Sequence, residues 1–353
     1  AYREREDTAE VPGQGAAFLA LHHLRSGTPK NAKPYLMPAL AHLHATYRHE
    51  AASEIVEAAL AQQALLGGEE RLRVLDDAAN GHELLGRWDD EQRTLEEAIA
   101  LADVLDDRSR RTALRTRLGE LHTRRAAWAE AREVYDAALG LARSFEDQAA
   151  EMGVEAGRAG MLRALGEYDE AESHYMRARE LARAADHAQG RLTALIGLAD
   201  LARRRGRNEQ AGLLYEEALR AAESLGDDRT FSNTSSAYAA TLLKLGRYDE
   251  AQALNERAVE ISHRIGDRVG EAYAIGSLGN LHMRRARFAE ARTCQERALD
   301  IAREVGDRRA QAVGVANLGM IHLHLDELKQ ARARFEEHRA LSMSLSDRDG
   351  EAW

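Results

Sequence analysis

The sequence predicts an all-α protein built as an α-solenoid, and three observations carry that prediction. All four prolines (Pro12, Pro29, Pro34 and Pro38) fall within the first 38 of 353 residues, and the rest of the chain has none. Proline removes a backbone donor and clashes with the preceding turn, at about 3 kcal/mol inside a helix. A long proline-free stretch rich in Ala, Leu, Glu and Arg therefore reads as helix after helix. One landmark position recurs every 40 residues without insertion, at Ala51, Glu91, Ala131, Ala171, Ala211, Ala251, Ala291 and Ala331. Aromatic residues make up only 5% of the chain, which is poor material for a β-sandwich or barrel.

Two further columns keep the same register. Seven residues after the landmark stand Ala58, Ala98, Ala138, Ala178, Ala218, Ala258 and Ala298, with His338 breaking the series. Sixteen after it stand Asp107, Asp147, Asp227, Asp267, Asp307 and Asp347, with Gly67 and His187 as exceptions. Each unit reads as two antiparallel helices. In one unit, Gly266 suits the left-handed residue past a helix end and Asp267 the N-cap of the next. Helix A then runs from about Arg268 to Arg285, with Ile275, Leu278, Leu281 and His282 on one face. After a turn at Ala286-Arg287, helix B runs from about Ala289 to Val305 with Ala291, Ala298, Leu299 and Ala302 along its buried stripe. Small alanines let the two backbones approach closely, and a lone pair cannot hide such a face, so neighbouring units must stack.

At the ends, Ala16 to Leu24 reads as one extra short helix; Pro34 is tolerable in the first turn of a helix opened near Asn31, and Pro38 is expected to kink or delay that helix. The last residues, Asp347 to Trp353, match Asp267 to Tyr273 in register, so a further helix A is expected to begin there.

Composition narrows the function classes. Against 59 Asp+Glu stand 49 Lys+Arg, a net charge of −10, which argues against a nucleic-acid or anionic-membrane surface. A single cysteine, Cys294, excludes a disulfide framework and a cysteine-rich zinc site and favours a reducing compartment. No apolar stretch approaches the roughly 18 residues that span a bilayer. The chain opens Ala1-Tyr2-Arg3-Glu4 without a basic-then-apolar leader. The expectation is a soluble, cytoplasmic protein, and its last residues imply either a longer parent or a packed final helix.

Leu118-Gly119-His122 with Ala131-Tyr135-Ala138 resembles the tetratricopeptide repeat (TPR) pattern, as do Leu278-Gly279-His282 with Ala291-Ala298 and Leu318-Gly319-His322 with Ala331-Phe335. The 40-residue period and the missing proline after helix B are similar to the extended-repeat subgroup that includes kinesin light chains and several bacterial regulators. The resemblance implies a right-handed α-solenoid of eight TPR-like hairpins: an extension over 1–27, eight repeats over 28–346, and the start of a further helix over 347–353. The segment Leu19 to Leu24 followed by Ala32 to Leu36 resembles the junction at which bacterial STAND-type ATPases pass into their TPR region.

Catalytic motifs fail on inspection. No Gly-Lys-Ser/Thr phosphate cradle is present. His82-Glu83-Leu84-Leu85-Gly86 lacks the second histidine of a zincin helix. Gly276-Ser277-Leu278-Gly279 is one residue short of a nucleophile elbow, and no strand precedes Gly153, Gly157 and Gly160. His42, His82, His122, His282 and His322 share one column, but stacked repeats hold successive members roughly 10 Å apart, too far to share a metal. They are expected to be packed, neutral rings, each capped by a local hydrogen bond. No metal, no cofactor and no catalytic residue are expected.

What remains is a groove. The resemblance implies that helix A lines the inner wall of the array. Asn280 follows one Leu-Gly pair and Asn317 precedes the next, the two places at which peptide-gripping TPR proteins carry asparagines that bond a ligand backbone. Asn80 shares the column of Asn280, and Gly276 stands where the carboxylate-gripping subgroup carries Lys. Tyr273, Ser277, Asn233, Ser236 and Met283 complete the expected wall. Arg124, Arg163, Arg203, Arg204, Lys244 and Arg284 form a basic ladder near the C-terminal ends of successive A helices. They complement the helix dipole and are placed to steer an acidic partner. The reading is a non-catalytic module that binds a peptide or protein segment in the groove, with no nucleic-acid or membrane partner. The alternative is an effector-sensing or autoregulatory TPR region of a larger bacterial signalling ATPase, kinase or transcription regulator.

Overall fold

A left-handed backbone residue recurs every twenty positions, from Gly86 and Asp106 through Ala286 and Gly306 to Asp326, and these residues cut the chain into helices. The computed structural model describes residues 13–350 apart from 47, 63 and 64, and no side chain is described at 45 or at 345–350. Among the described residues the single helix α1 (Gly13–Arg25) and a short 3-10 turn (Pro29–Ala32) are followed by sixteen α-helices, paired as hairpins within each unit. In the first unit they are α2 (Lys33–Ala45) with α3 (His49–Leu60), α4 (Gly68–Leu84) with α5 (Trp88–Val104), and α6 (Arg108–Arg124) with α7 (Trp128–Ser144); α8 (Gln148–Leu165) and α9 (Tyr168–Ala184) come next in the chain. Then come α10 (Ala188–Arg204) with α11 (Asn208–Leu225), α12 (Asp228–Lys244) with α13 (Tyr248–Arg264), α14 (Arg268–Arg284) with α15 (Phe288–Glu304), and α16 (Arg308–His324) with α17 (Leu328–Gly350). No strand occurs among the described residues, and the architecture is an all-α solenoid.

Local chemistry sets both ends of these helices. The carboxylates of Asp107, Asp147, Asp227, Asp267 and Asp307 accept the backbone N–H three residues on at 2.9–3.1 Å, and His187 Nδ1 takes the same role toward Gly190 at 2.9 Å. Each cap satisfies a helix-start donor and contributes about 1 kcal/mol. At the other end, Arg287 N–H donates to His282 O at 2.9 Å and Ala286 N–H to Met283 O at 3.0 Å, the bonds of a Schellman closure. The left-handed residue that closure requires is glycine at seven of these turns; elsewhere the chain accepts Asp106, Ala126, Glu146, Asp186, Ala286 or Asp326.

The chain divides into two compact units, Ala1–Met161 and Leu162–Trp353. In the first, Leu72, Leu75, Leu95, Leu114 and Leu121 centre one core cluster and Leu36, Leu40, Leu43 and Ile55 another. Tyr135 of α7 lies against the bare backbones of Gly119 and Gly157, where a Cβ would come within 2.9 Å of its ring. In the second unit, Tyr215, Phe231, Tyr238 and Leu242 build the main cluster, and Gly197 makes the same room for the ring of Tyr175. The landmark alanines from Ala131 to Ala291 are fully buried, and so is Glu91, which stands in their column.

Two end effects differ from the sequence expectation. Of the two outcomes expected of Pro38, a delayed start is not found: α2 begins at Lys33, with Pro34 in its first turn as expected, and carries Pro38 inside it. Only one helical N–H is missing there, the one that would reach residue 34. At the far end, α17 runs unbroken through Asp347 to Gly350. Ser346 occupies the turn position that holds glycine in the three preceding B-to-A turns, and serine does not favour the left-handed backbone that a break requires. Residues 351–353, which the sequence reading placed in a further helix, lie outside the described residues.

Candidate functional site

Asn280 and Asn317, predicted to act together, are joined directly. Asn317 Nδ2 donates to Asn280 Oδ1 at 3.1 Å, bridging α14 and α16. A third amide completes the group: Gln295 Nε2, from α15, donates to Asn280 Oδ1 at 3.1 Å and to Gly276 O at 3.0 Å. Gln295 is buried and lies against Gly279, where an added Cβ would meet its Nε2 at 2.6 Å. The glycine that makes room for Tyr135 in the first unit thus has a counterpart that makes room for an amide here. Asn280 and Asn317 are half-buried, open on one side.

Sequence reasoning missed Gln295, yet its column carried a signal. The helix-B positions Tyr135, Tyr175, Tyr215, Asn255, Gln295 and Phe335 are aromatic except for two consecutive amides. Asn255 is fully buried, and neither its Oδ1 nor its Nδ2 has a partner among the described residues. The position fifteen residues earlier, where Gln295 finds Asn280 and Tyr215 finds Asp200, is Ala240 for Asn255.

The remaining predicted wall residues are placed variously. Tyr273 is half exposed and its hydroxyl donates to Asp307 Oδ2 at 3.4 Å; burial, then Asp307, pushes its phenol up. Ser277 and Ser236 are half-buried and Asn233 is exposed on α12. Met283 packs against the cluster of Leu299, Val315 and Leu318. On α16, Val313, Met320 and Leu323 add exposed apolar surface that the sequence reading did not include.

The basic ladder separates into two kinds of residue. Arg124 is committed: it donates to the buried Glu91 at 2.5 Å and to Glu83 at 3.0 Å. Arg163 and Arg203 each contact Asp200 at 3.4 Å, and Asp200 also accepts the hydroxyl hydrogen of Tyr215. These three are structural tethers rather than open cations. Arg204, Lys244 and Arg284 are exposed, spaced by 40, in the last turns of α10, α12 and α14, with no ion pair among the described residues. Arg124 shares their register, but its guanidinium is spent on Glu91 and Glu83.

The histidine column is packed, as its chemistry suggests. His82, His122 and His322 are buried, and burial holds the imidazoles of His82, His122 and His282 below their ordinary value. The local cap expected for each ring is found at His322, whose Nδ1 lies 2.5 Å from Glu327 Oε2. It is missing at His82 and His282, whose Nδ1 atoms have no partner among the described residues. Their backbone carbonyls, not their rings, close the turns. Among the described residues no cluster of three or more His, Cys, Asp or Glu is placed to hold a metal, and no helix is long and apolar enough to cross a membrane.

These features agree with the family to which the sequence maps. Tetratricopeptide repeat family models match residues 154–224, 230–304 and 271–344, and a second such model matches 113–149. The first alone covers more than half of the chain, so the chain belongs to the tetratricopeptide repeat family, a class of helical-repeat protein-interaction modules. Among solved structures it is similar to a Rap protein complexed with Competence and Sporulation Factor (TM-score 0.66, 12% identity, covering 95% of this chain and 99% of that one). It is also similar to the apo form of the quorum sensor NprR from B. thuringiensis (TM-score 0.66, 15% identity, 93% and 98%). A third is a Signal Transduction ATPase with Numerous Domains, carrying a tetratricopeptide repeat sensor, from Pyrococcus horikoshii (TM-score 0.62, 15% identity). This chain aligns over 98% of its own length but 55% of that protein. No curated protein sequence matches.

Proposed function

We propose that this protein is a non-catalytic, cytoplasmic recognition module that holds an extended segment of another protein along the exposed face of α14 and α16. The observation that carries this reading is the bonded pair Asn280 and Asn317, which sets two amides side by side on adjacent A helices. Amides offer both donors and acceptors, as an extended backbone requires. Exposed Tyr273, Val313, Met320 and Leu323 around them would take apolar side chains of the segment. Arg204, Lys244 and Arg284 would orient an acidic stretch of the same partner. A rigid, preformed wall loses little entropy when it is occupied. A chain of the same fold is complexed with Competence and Sporulation Factor, which supports the general reading that such an array accepts a guest.

A second reading, a sensor region within a larger signalling protein, is favoured by the match to 55% of a STAND protein with a tetratricopeptide repeat sensor. In both, the same face does the work.

The test is selection of displayed peptides on the full chain, followed by binding isotherms. Asn280→Ala with Asn317→Ala should weaken the selected peptide about tenfold or more, as loss of two hydrogen bonds implies. Arg204→Ala with Lys244→Ala should flatten the salt dependence. A peptide that binds the asparagine double variant as tightly as the parent would place recognition elsewhere.

A further inference from the structure

We infer that Gln295 is a positioning residue that fixes the polarity of the amide pair, so that this face accepts a secondary amide running in one direction and rejects a carboxylate. The inference rests on the groove reading above and specifies its chemistry. Asn280 Oδ1 accepts two hydrogen bonds, one from Gln295 Nε2 and one from Asn317 Nδ2. Both of its acceptor sites are consumed, so Asn280 can offer a ligand only its Nδ2 hydrogens. Asn317 spends one Nδ2 hydrogen on Asn280, and its Oδ1 is the acceptor the pair has left for a ligand. The pair therefore reads as donor on α14 and acceptor on α16.

A peptide unit matches this order, with its carbonyl on Asn280 and its N–H on Asn317. A carboxylate has acceptors only and would set one against Asn317 Oδ1; an ammonium has donors only and would face Asn280 Nδ2. Such a mismatch is a specificity device as effective as an attractive contact. Gln295 controls the arrangement because its own amide is locked: Nε2 also donates to the backbone carbonyl of Gly276, and the side chain is buried against Gly279. Without that donor, Asn280 is free to rotate by half a turn. The contrast with Asn255 supports the assignment, since the same column supplies an amide there that none of the described residues uses.

The test uses the full chain labelled with nitrogen-15 and follows solvent exchange of side-chain amides, with a pool of N-acetylated, C-amidated pentapeptides as the ligand probe. The expected result is exchange at Gln295 and Asn317 about tenfold slower than at Asn280, the inverse order at the two asparagines in Gln295→Glu, and about tenfold weaker retention of the pool by that variant. Gln295→Met, which keeps the volume and removes the donor, should make the two asparagines exchange alike. Equal exchange in the parent, an unchanged order in both variants, or, where the parent retains the pool, equal retention by Q295E would each overturn the inference. A parent that retains none of the pool sinks the groove reading alone, because the exchange order still decides the role of Gln295.

Discussion

Gln295 donates to Asn280 across the same fifteen-residue hairpin separation over which Tyr215 donates to Asp200. The two pairs occupy one structural position two repeats apart, where helix B reaches through the hairpin to the open face of helix A. The repeat thus has a built-in route from core to wall. What stands at its two ends decides whether the wall carries charge, as at Asp200 with Arg163 and Arg203, or neutral amides, as at Asn280 with Asn317.

Glu91 makes a test of the landmark column. It is buried where other repeats hold alanine, burial pushes its carboxyl up, and Arg124 opposes that shift. Arg124→Ala should destabilise by about 3 kcal/mol, because it leaves a buried acid without its partner. Glu91→Ala with Arg124→Ala should recover most of that loss. Denaturant midpoints of the three proteins read the outcome, and a double variant no better than the single one would contradict it.

Asn255→Leu should raise stability by about 1–2 kcal/mol, since a buried amide with no partner among the described residues is replaced by an apolar group. Leucine is the right choice: Leu95 holds this column in an earlier repeat. Tyrosine is not, because Ser277 stands where Gly197 makes room for the ring of Tyr175. A lower denaturant midpoint for the leucine variant would show that the amide has a partner in solution.

Ala126→Gly and Ala286→Gly should each stabilise by about 1 kcal/mol, because alanine at φ 55° and 56° carries a left-handed strain that glycine does not. Ala138→Gly, inside a helix, should have the opposite sign. Chemical denaturation of the three variants separates the two effects.

The buried histidines give a pH dependence with a definite sign. His82, His122 and His282 have folded values below the unfolded one, so their neutral rings stabilise the fold above about pH 6.5. As pH falls below that, the unfolded chain takes up protons first and stability is lost. Glu91 and Glu120, both shifted upward with burial as the first cause, work in the opposite direction. The denaturant midpoint should therefore fall between about pH 7 and 5.5, and a flat profile would reject the neutral packed rings.

Much of this was legible in the sequence because the repeat is read from residues that touch their own hairpin. Asp267 and Gly266 mark a helix start to the residue, and α14 ends within one residue of the expected place. Helix B begins at Phe288, one residue before the expected start. The adjacency of Asn280 and Asn317 also followed from register, 37 residues apart. What did not follow was pairing between side chains on different helices. Arg163, Arg203 and Arg204 look alike in sequence, and only Asp200, reached through the fold, separates the tethered two from the open one. Gln295 was hidden for a related reason: its column is defined by rings, and an amide among them shows its use only when its partner is in place. The continuous α17 reflects a missing local signal at Ser346, which column counting overrode.

The central claim is that the face of α14 and α16 receives the guest, and site-specific photo-crosslinking tests it most directly. A benzophenone amino acid at Val313, exposed on α16, should crosslink to the selected peptide, and the same group at Glu256, exposed on α13, should not. Crosslinking through position 256 with none through 313 would place the guest on the helix-B face and contradict the account.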